Sequence, residues 1–300
     1  MIKTFFVVGP TASGKTEYAV RLAEDIGGEI VSADSMQIYK YMDIGSAKPS
    51  AEELARARHW LIGEIDPRTP FNVSDYQQLA LQYIKDIAAR GKTPIVCGGT
   101  GLYVNSLIYK MDFEAPEGDE EFRKKIFAEE DGDTEKLHER LKKLDPDAAE
   151  AIHPNNIKRT LRAIERLEKG EGRLAEFAKA TEPSDLLEPV MLGMDLPRDV
   201  LYDRINRRVD VLFIRGLEQE VRDLMEMGFT SADVAMKGIG YKEIIDVLSA
   251  GGKAEDAAET IKANTRHYAR RQLIWFRRYK QIHWINPEYS SENLHFIGIV

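Results

Sequence analysis

The sequence predicts an α/β protein in which helices wrap a parallel sheet and an all-helical domain is inserted. An apolar strand, a glycine-rich loop and a helix follow one another at 5–26 and again at 93–107. Strands that alternate with helices favour a parallel sheet that is covered on both faces. By contrast, residues 114–188 contain several helical patterns and no convincing strand, which predicts the insertion.

The remaining elements divide the chain into two predicted domains. The apolar run at 189–196 returns to a strand pattern, so the first domain is discontinuous. We assign 1–112 and 189–300 to a catalytic core and 113–188 to a helical insertion. Within the core we expect strands at 5–8, 29–32, 93–97 and 189–196, and helices at 17–26, 51–58, 75–90, 101–107, 198–227, 241–250 and 256–280.

Residues 9–16, with the sequence Gly-Pro-Thr-Ala-Ser-Gly-Lys-Thr, fit the phosphate-loop pattern G-x-x-x-x-G-K-[ST]. Gly9 and Gly14 allow the backbone to wrap so that its N–H groups and the helix N-terminus face an anion. Lys15 adds a positive charge, and Thr16 supplies a hydroxyl for Mg²⁺. The alternative is an ordinary glycine-rich turn, but strand, loop and helix all fall where the motif requires them. The predicted sheet is therefore P-loop NTPase-like.

Length and composition bound the class of protein. The 300-residue chain is 43% hydrophobic and 31% charged, and no apolar run approaches the length of a membrane span. No secretory signal precedes the first strand, so we expect a cytoplasmic location without membrane attachment. The single cysteine, Cys97, excludes an internal disulfide and a cysteine-rich zinc site, and the six histidines show no metal-ligand spacing.

Charge is unevenly distributed along the chain. The net charge of −8 argues on average against a nucleic-acid partner, because phosphate backbones attract lysine and arginine. However, 114–139 is rich in Glu and Asp, whereas 261–286 contains basic residues and no acid. Whole-chain charge is therefore a poor guide to the partner.

The predicted helix at 256–280 carries a basic stripe. The residues that share this face are Lys262, Arg266, Arg270 and Arg277. Ile274, Trp275 and other apolar residues are expected to pack on the rest of the helix. A cationic stripe beside aromatic residues indicates an RNA-facing surface; a solvated face over a packed core is the alternative.

The short strand at 29–32 leads into Asp34 and Gln37. In a doubly wound sheet, ligands lie beyond the carboxyl ends of the strands, so both side chains are expected near the phosphate loop. A carboxylate there can orient a nucleophile, although Asp34 could instead be a helix N-cap.

Two kinds of chemistry suit a phosphate loop. Most such proteins transfer or hydrolyse the γ-phosphate of a nucleotide such as ATP, which requires an acid for Mg²⁺. The usual aspartate at the end of a late strand is missing, since 95–97 is followed by Gly-Gly-Thr. The same loop would equally hold a diphosphate that leaves when carbon is transferred.

Four motifs occur in order along the chain: Gly-Pro-Thr-Ala-Ser-Gly-Lys-Thr at 9–16, Asp-Ser-Met-Gln-Ile-Tyr at 34–39, Gly-Gly-Thr-Gly-Leu-Tyr at 98–103 and Gly-Ile-Gly-Tyr-Lys-Glu at 238–243. Together they resemble the tRNA dimethylallyltransferases, also called tRNA isopentenyltransferases, over essentially the full length. Two departures occur: His-Trp-Leu-Ile-Gly at 59–63 replaces the common His-His-Leu-Ile-Asp, and Ser46 replaces the usual Thr. We assign no catalytic role at either place.

The resemblance implies transfer of a dimethylallyl group from dimethylallyl diphosphate to the exocyclic amine of the adenosine 3′-adjacent to the anticodon. Asp34, Thr100 and Arg208 are the implied catalytic residues, with Asp34 taking a proton from the amine. Arg208 would steady the leaving charge; a surface salt bridge is the alternative. The implied diphosphate-binding residues are Gly9, Thr11, Ala12, Ser13, Gly14, Lys15 and Thr16, with Thr16 also the ligand of the Mg²⁺ cofactor.

The implied partner is the anticodon stem-loop of tRNA, from which the target base must leave its stack to reach a pocket. The residues expected to contact tRNA are Asp34, Ser35, Met36, Gln37, Thr100, Arg123, Lys158, Arg159, Arg162, Arg266 and Arg270. Gln37 can contact an adenine edge through both its donor and its acceptor. Acidic residues at 117–121 are expected to limit where RNA lies, and a monomer is expected.

Two other functions stay open at the level of sequence. A small-molecule or nucleoside kinase also uses a phosphate loop, Mg²⁺ and a helical lid. A regulatory NTP-binding module would switch RNA contacts without covalent chemistry. The fate of label from an allyl diphosphate or from γ-labelled ATP would separate the three.

Overall fold

A computed structural model describes residues 1–111, 119–171 and 182–287. The chain divides into two compact units, one formed by Met1–Lys110 with the chain from Glu182 onward and one formed by Met111–Thr181. The second boundary precedes the predicted one at 188/189, because the Lys110 N–H donates to the Glu182 carbonyl and the Ser184 N–H to that of Ile108. Of the acidic residues at 117–121, Glu117 lies outside the described residues.

The larger unit is built on a parallel sheet, as predicted. Its strands are β1 (Ile2–Val8), β2 (Gly28–Ser32), β3 (His59–Trp60), β4 (Thr93–Gly98), β5 (Leu187–Met194) and β6 (His283–Ile285). They are arranged in the order β3-β2-β4-β1-β5-β6, with every pairing parallel. The sequence does not predict β3 or β6, because runs of two and three residues carry too little periodicity to mark a strand.

Both faces of the sheet are buried. Side chains alternate along β1, so that Phe6 and Val8 pack into one apolar cluster while Phe5 and Val7 pack into another. Strands buried on both faces are typical of a parallel sheet with helices on each side.

Twelve α-helices are described. In the first part of the larger unit they are α1 (Lys15–Ile26), α2 (Ala51–Arg56), α3 (Val73–Ala89) and α4 (Gly101–Ile108). The smaller unit contains α5 (Glu120–Glu129), α6 (Thr134–Leu144), α7 (Pro146–Ala151) and α8 (Ile157–Glu168). The larger unit continues with α9 (Arg198–Ile214), α10 (Leu217–Glu226), α11 (Tyr241–Ser249) and α12 (Ala258–Phe276). Among the described residues, no helix is long and apolar enough to cross a bilayer.

Three predictions about the helices are wrong. The predicted helix at 198–227 is two helices, because the chain turns at Gly216 with a left-handed φ of 97°. Helix α12 ends at Phe276, so Arg277 lies beyond the helix rather than on its basic face. Ile274 is 52% exposed and does not join the core. The basic stripe is therefore shorter than the sequence predicts.

The smaller unit has a core of its own. Its four helices surround buried side chains that include Ile126, Leu137, Leu141 and Ile164. The helices carry side-chain N-caps at Asp119, Asp133, Asp145 and Asn156, which satisfy backbone N–H groups at their starts. This unit therefore follows the helical pattern of its sequence.

Gly98 allows two strand ends to approach each other. A Cβ at this position would collide with the backbone of Ala33, which follows β2. The Ala33 N–H donates to the Cys97 carbonyl (2.8 Å), and the Thr100 N–H donates to the Ala33 carbonyl (3.0 Å). The contact thereby brings the segments after β2 and β4 side by side at one edge of the sheet.

We expect Gly98→Ala to destabilise the fold by more than about 3 kcal/mol, because the obstructing atoms are backbone and cannot rotate away. Gly91→Ala is the matched control. Gly91 lies between α3 and β4, has a φ of 73° and has nothing within 4 Å of a Cβ. It should cost only about 1 kcal/mol from backbone conformation. Urea denaturation measures both, and equal losses would contradict the steric argument.

Candidate active site

A cavity of about 330 Å³ opens in the larger unit beyond the carboxyl ends of β1, β2 and β4. The phosphate loop contributes Thr11, Lys15 and Thr16 to its wall, and the segment after β2 contributes residues 34–37. Helix α9 adds Arg208. The structure thus brings together predicted site residues from three separate parts of the chain, in a volume suited to a small ligand.

The phosphate loop has the wrapped backbone that its sequence predicts. Gly9 and Gly14 have φ values of 145° and 88°, and α1 begins directly after Gly14. The Lys15 Nζ donates to the Pro10 carbonyl at 2.6 Å. Ser13 is fully buried, and its hydroxyl has no hydrogen-bond partner in the described part of the chain. A buried hydroxyl without a partner in this loop is a free polar group that a bound anion can satisfy.

Two cations face this cavity, from Lys15 and Arg208. Neither forms an ion pair with a described carboxylate, although Asp34 lies near enough to favour both charges. The pKa of Lys15 is lowered to about 8, chiefly by removal from bulk water and in smaller part by the Arg208 charge. Burial likewise lowers the pKa of Arg208. The alternative of a surface salt bridge for Arg208 is not what the structure has; the site is short of negative charge, as expected of an anion-binding site.

Asp34 forms a turn with its own backbone. Its Oδ1 accepts hydrogen bonds from the N–H groups of Met36 (2.9 Å) and Gln37 (3.3 Å). Asp34 thus accepts hydrogen bonds from the backbone N–H groups that follow it, as an N-cap residue does, but those residues form a turn and not a helix. Its Oδ2 makes no hydrogen bond to any described residue, which leaves one carboxylate oxygen for a ligand.

Thr100 contacts this turn rather than the cavity. Its Oγ1 accepts a hydrogen bond from the Ser35 N–H (3.0 Å) and donates one to the Ser35 Oγ (3.3 Å). Thr100 does not form part of the cavity wall. The geometry gives it a role in holding the 34–37 segment in place.

Gln272 on α12 is a site residue that sequence reasoning missed. Its buried Oε1 accepts a hydrogen bond from the Thr11 N–H (2.8 Å), and its Nε2 donates to the Gly99 carbonyl (3.0 Å). One amide thus joins the phosphate loop to the loop after β4. Three cavity-lining residues repeat at helical spacing on α12: Thr265, Tyr268 and Gln272. The basic residues of this helix, from which its functional face was predicted, do not mark this side of it.

The two predicted RNA contacts on α12 lie away from that wall. Arg266 donates to the Asn206 Oδ1 at 2.6 Å and is partly buried, whereas Arg270 is exposed. Lys262, the first residue of the stripe, pairs with Asp210 (2.8 Å) and Glu259 (3.0 Å). Arg270 is therefore the cation of the stripe most accessible to a partner.

In the smaller unit, the predicted RNA contacts differ in their surroundings. Arg123 forms a 2.5 Å ion pair with the buried Glu165, which points to a structural role for its guanidinium. Lys158, Arg159 and Arg162 lie in the first half of α8 and form no ion pair with any other described residue. The first turn of α8 contains no acid, so these cations oppose the helix dipole. Cations near a helix N-terminus are unfavourable, and binding of an anionic partner at this surface would explain their presence.

Comparison with known proteins bears on this site. The sequence model of one family, described as IPP transferase, matches residues 37–279. The chain is also 46% identical to the tRNA dimethylallyltransferase of Acetivibrio thermocellus, over 97% of this chain and 94% of that protein. It is 43% identical to the tRNA dimethylallyltransferase of Clostridioides difficile, over 98% and 94% of the two chains.

This chain belongs to the IPP transferase family. Solved structures agree: the tRNA isopentenylpyrophosphate transferase of Bacillus halodurans matches with a TM-score of 0.73 and 39% identity, over 99% of this chain and 95% of the other. A eukaryotic dimethylallyltransferase acting on tRNA matches with a TM-score of 0.80 and 28% identity, over 96% and 74%. The family membership accords with the resemblance seen in the four sequence motifs.

The lowered pKa of Lys15 predicts how anion binding depends on pH. In the free protein the ammonium is lost above about pH 8, and a bound anion raises the pKa, so only the protonated form binds well. The affinity for inorganic diphosphate should therefore be highest below pH 8 and fall by up to about tenfold per pH unit above it. Calorimetric titration across this range measures the effect.

Lys15→Arg is the matched control, because a guanidinium stays protonated throughout. The ligand's own ionisation affects both proteins equally, so the ratio of their affinities isolates Lys15. Parallel pH profiles for the two proteins would contradict the assignment.

Proposed function

We propose that this IPP transferase family member transfers a dimethylallyl group from dimethylallyl diphosphate to the exocyclic amine of the adenosine 3′-adjacent to the anticodon of tRNA. The observation that carries the proposal is the cavity itself. It joins two cations that lack a carboxylate partner, Lys15 and Arg208, to a carboxylate and an amide, Asp34 and Gln37. The first pair suits a diphosphate, and the second pair suits a purine amine.

On the donor side, the phosphate loop holds the diphosphate. The N–H groups of Ala12, Ser13 and Gly14, with the hydroxyl of Ser13, are the neutral donors, and Lys15 and Arg208 supply charge. As the bond between the allylic carbon and oxygen breaks, the electron pair leaves with the diphosphate. Cations fixed at the developing charge lower the barrier because they need no reorganisation during the reaction.

On the acceptor side, the amine nitrogen attacks the allylic carbon. The amine of adenine is conjugated with its ring and is a weak nucleophile, so removal of its proton during attack helps. The Oδ2 of Asp34 takes that proton, since Oδ1 is engaged by the turn. Ser35, Met36 and Gln37 line the same wall, and we assign them the contacts with the base.

Mg²⁺ suits the residues at this place. Thr16 follows Lys15 at the start of α1 and lines the cavity. Mg²⁺ takes few protein ligands and completes its shell with water and substrate phosphate, so one hydroxyl beside a bound diphosphate is an adequate set. Bound there, it would help to neutralise the leaving diphosphate.

RNA binding is proposed to use cations of both units that form no ion pair with another described residue. In the smaller unit these are Lys158, Arg159 and Arg162, and in the larger unit Arg270 with a contribution from Arg266. All the groups proposed for chemistry come from one chain, so a monomer suffices for the reaction. A small-molecule kinase is not favoured, because the chain belongs to the IPP transferase family. In addition, the aspartate that usually binds Mg²⁺ at the end of a late strand is missing, since 95–97 is followed by Gly-Gly-Thr.

The direct test is to incubate the protein with unmodified tRNA and labelled dimethylallyl diphosphate, and in parallel with γ-labelled ATP. We expect label in tRNA from the allyl donor alone. Asp34→Asn should lower transfer by about a hundredfold or more, because the amide cannot accept the proton. It retains Oδ1 and the turn, so tRNA binding should change by less than about twofold.

Asp34→Ala provides the comparison, since it removes both the base and the turn. Loss of tRNA binding in Asp34→Asn as well as in Asp34→Ala would make Asp34 structural. Phosphate transfer or bare ATP hydrolysis by the unaltered protein would overturn the proposed reaction.

Charge reversal tests the RNA surface. We expect Arg159→Glu and Arg270→Glu each to weaken tRNA binding and to reduce the slope of log affinity against log salt by about 0.7 to 0.9 per lost phosphate contact. Lys143→Glu, an exposed change at the end of α6 in the smaller unit, is the control and should do neither. Filter binding across a salt series gives both quantities, and unchanged slopes in both test variants would refute the assignment.

A further inference from the structure

We propose that Glu220 and Tyr241 are positioning residues that fix the side-chain amide of Gln37, so that its oxygen faces the acceptor base and selects a 6-amino purine over a 6-oxo purine. This inference rests on the proposed function. It gives roles to a residue outside every sequence motif, Glu220, and to the tyrosine of the motif at 238–243.

Glu220 on α10 organises the loop at 43–46. Its Oε2 accepts hydrogen bonds from the N–H groups of Asp43 (2.7 Å) and Ile44 (2.6 Å), and its Oε1 accepts one from Gly45 (2.9 Å). Three successive N–H groups that converge on one carboxylate form a concave anion site in the backbone. The carboxylate therefore determines the path of this loop, which borders the cavity.

Tyr241 on α11 fixes the next residue of the loop. Its hydroxyl donates to the Glu220 Oε1 (2.7 Å) and accepts from the Ser46 N–H (3.1 Å). Tyr241 is 1% exposed, and burial raises its pKa well above the ordinary value, so the hydroxyl keeps its proton. A Cβ at Gly45 would lie 2.5 Å from the Tyr241 ring, which shows how closely the loop packs against it.

The loop in turn determines how the side-chain amide of Gln37 is oriented. The two amide hydrogens of Gln37 are directed to the carbonyls of Ala47 (3.0 Å) and Ser46 (3.4 Å). The Oε1 accepts only a long hydrogen bond from the Ser32 hydroxyl (3.4 Å) among the described residues, and an amide oxygen has two lone pairs. Gln37 therefore presents an acceptor, which complements an amine and leaves a carbonyl of the base unpaired.

Without this support the amide could turn. If Ser46 and Ala47 shift, Gln37 can present either its oxygen or its NH₂ group, and a base with a 6-oxo group would gain a donor. The expected consequence is lost discrimination at the base, with the diphosphate site unaffected.

The test measures binding of two anticodon stem-loops, with adenosine or inosine at the acceptor position, in the absence of donor. We expect the unaltered protein to prefer the adenosine loop by about tenfold or more, the value of one well-formed hydrogen bond against an unpaired one. Tyr241→Phe should reduce that ratio at least about fivefold, while the affinity for inorganic diphosphate changes by less than about twofold.

Tyr76→Phe is the matched control, because Tyr76 is equally buried and its hydroxyl has no partner among the described residues. It should leave the ratio unchanged. Glu220→Gln is the second test variant and should act as Tyr241→Phe does. Glu218→Gln, at a partly exposed residue on the same helix, is its control.

An unchanged ratio in Tyr241→Phe would overturn the inference. Equal loss of affinity for both loops together with weaker diphosphate binding would also overturn it, since it would mean general structural damage. Failure of the proposed function is a separate outcome: it would appear as no transfer by the unaltered protein, whatever the ratio.

Discussion

Lys15 and Arg208 face one cavity without an ion pair to any described carboxylate. The arrangement of the site follows from the need to hold these two cations close together. Two like charges in one cavity repel each other, and removal from water is the main cause that lowers the pKa of both groups. Asp34 is close enough to offset part of this repulsion, yet one of its oxygens is committed to the turn at 34–37. The balance is left incomplete, and a diphosphate with its multiple negative charges would complete it.

The same arrangement opposes folding stability. A lysine whose pKa falls from its ordinary value to about 8 on folding is more easily protonated in the unfolded chain, so its contribution to stability rises as the pH passes from about 8 towards the ordinary value. Anion binding follows the opposite trend across that interval. Stability and affinity thus respond to pH in opposite senses at one residue, a signature of a group retained for its function rather than for the fold.

The sequence was sufficient for the parts of the site whose information is local. The phosphate loop and the position of Asp34 follow from glycine spacing and from a strand end, and Arg208 followed from family resemblance. Gln272 and Glu220 could not be found in this way, because each acts on backbone far away: Gln272 is 261 residues from Thr11, and Glu220 is 177 from Asp43. The short strands could not be predicted for a related reason: β6 is defined by its pairing with β5 and not by its own sequence pattern.

These distant contacts explain why the C-terminal helices belong to the active site. Helix α12 joins the phosphate loop to the loop after β4 through a single amide, and α10 and α11 together fix the loop that orients Gln37. A phosphate loop alone holds an anion without regard to what is attached to it. The loops fixed by α10, α11 and α12 place the carboxylate of Asp34 and the amide of Gln37 in the same cavity as the anion-binding cations. This placement lets a nucleophilic base, instead of water or a hydroxyl, reach the carbon that the diphosphate leaves.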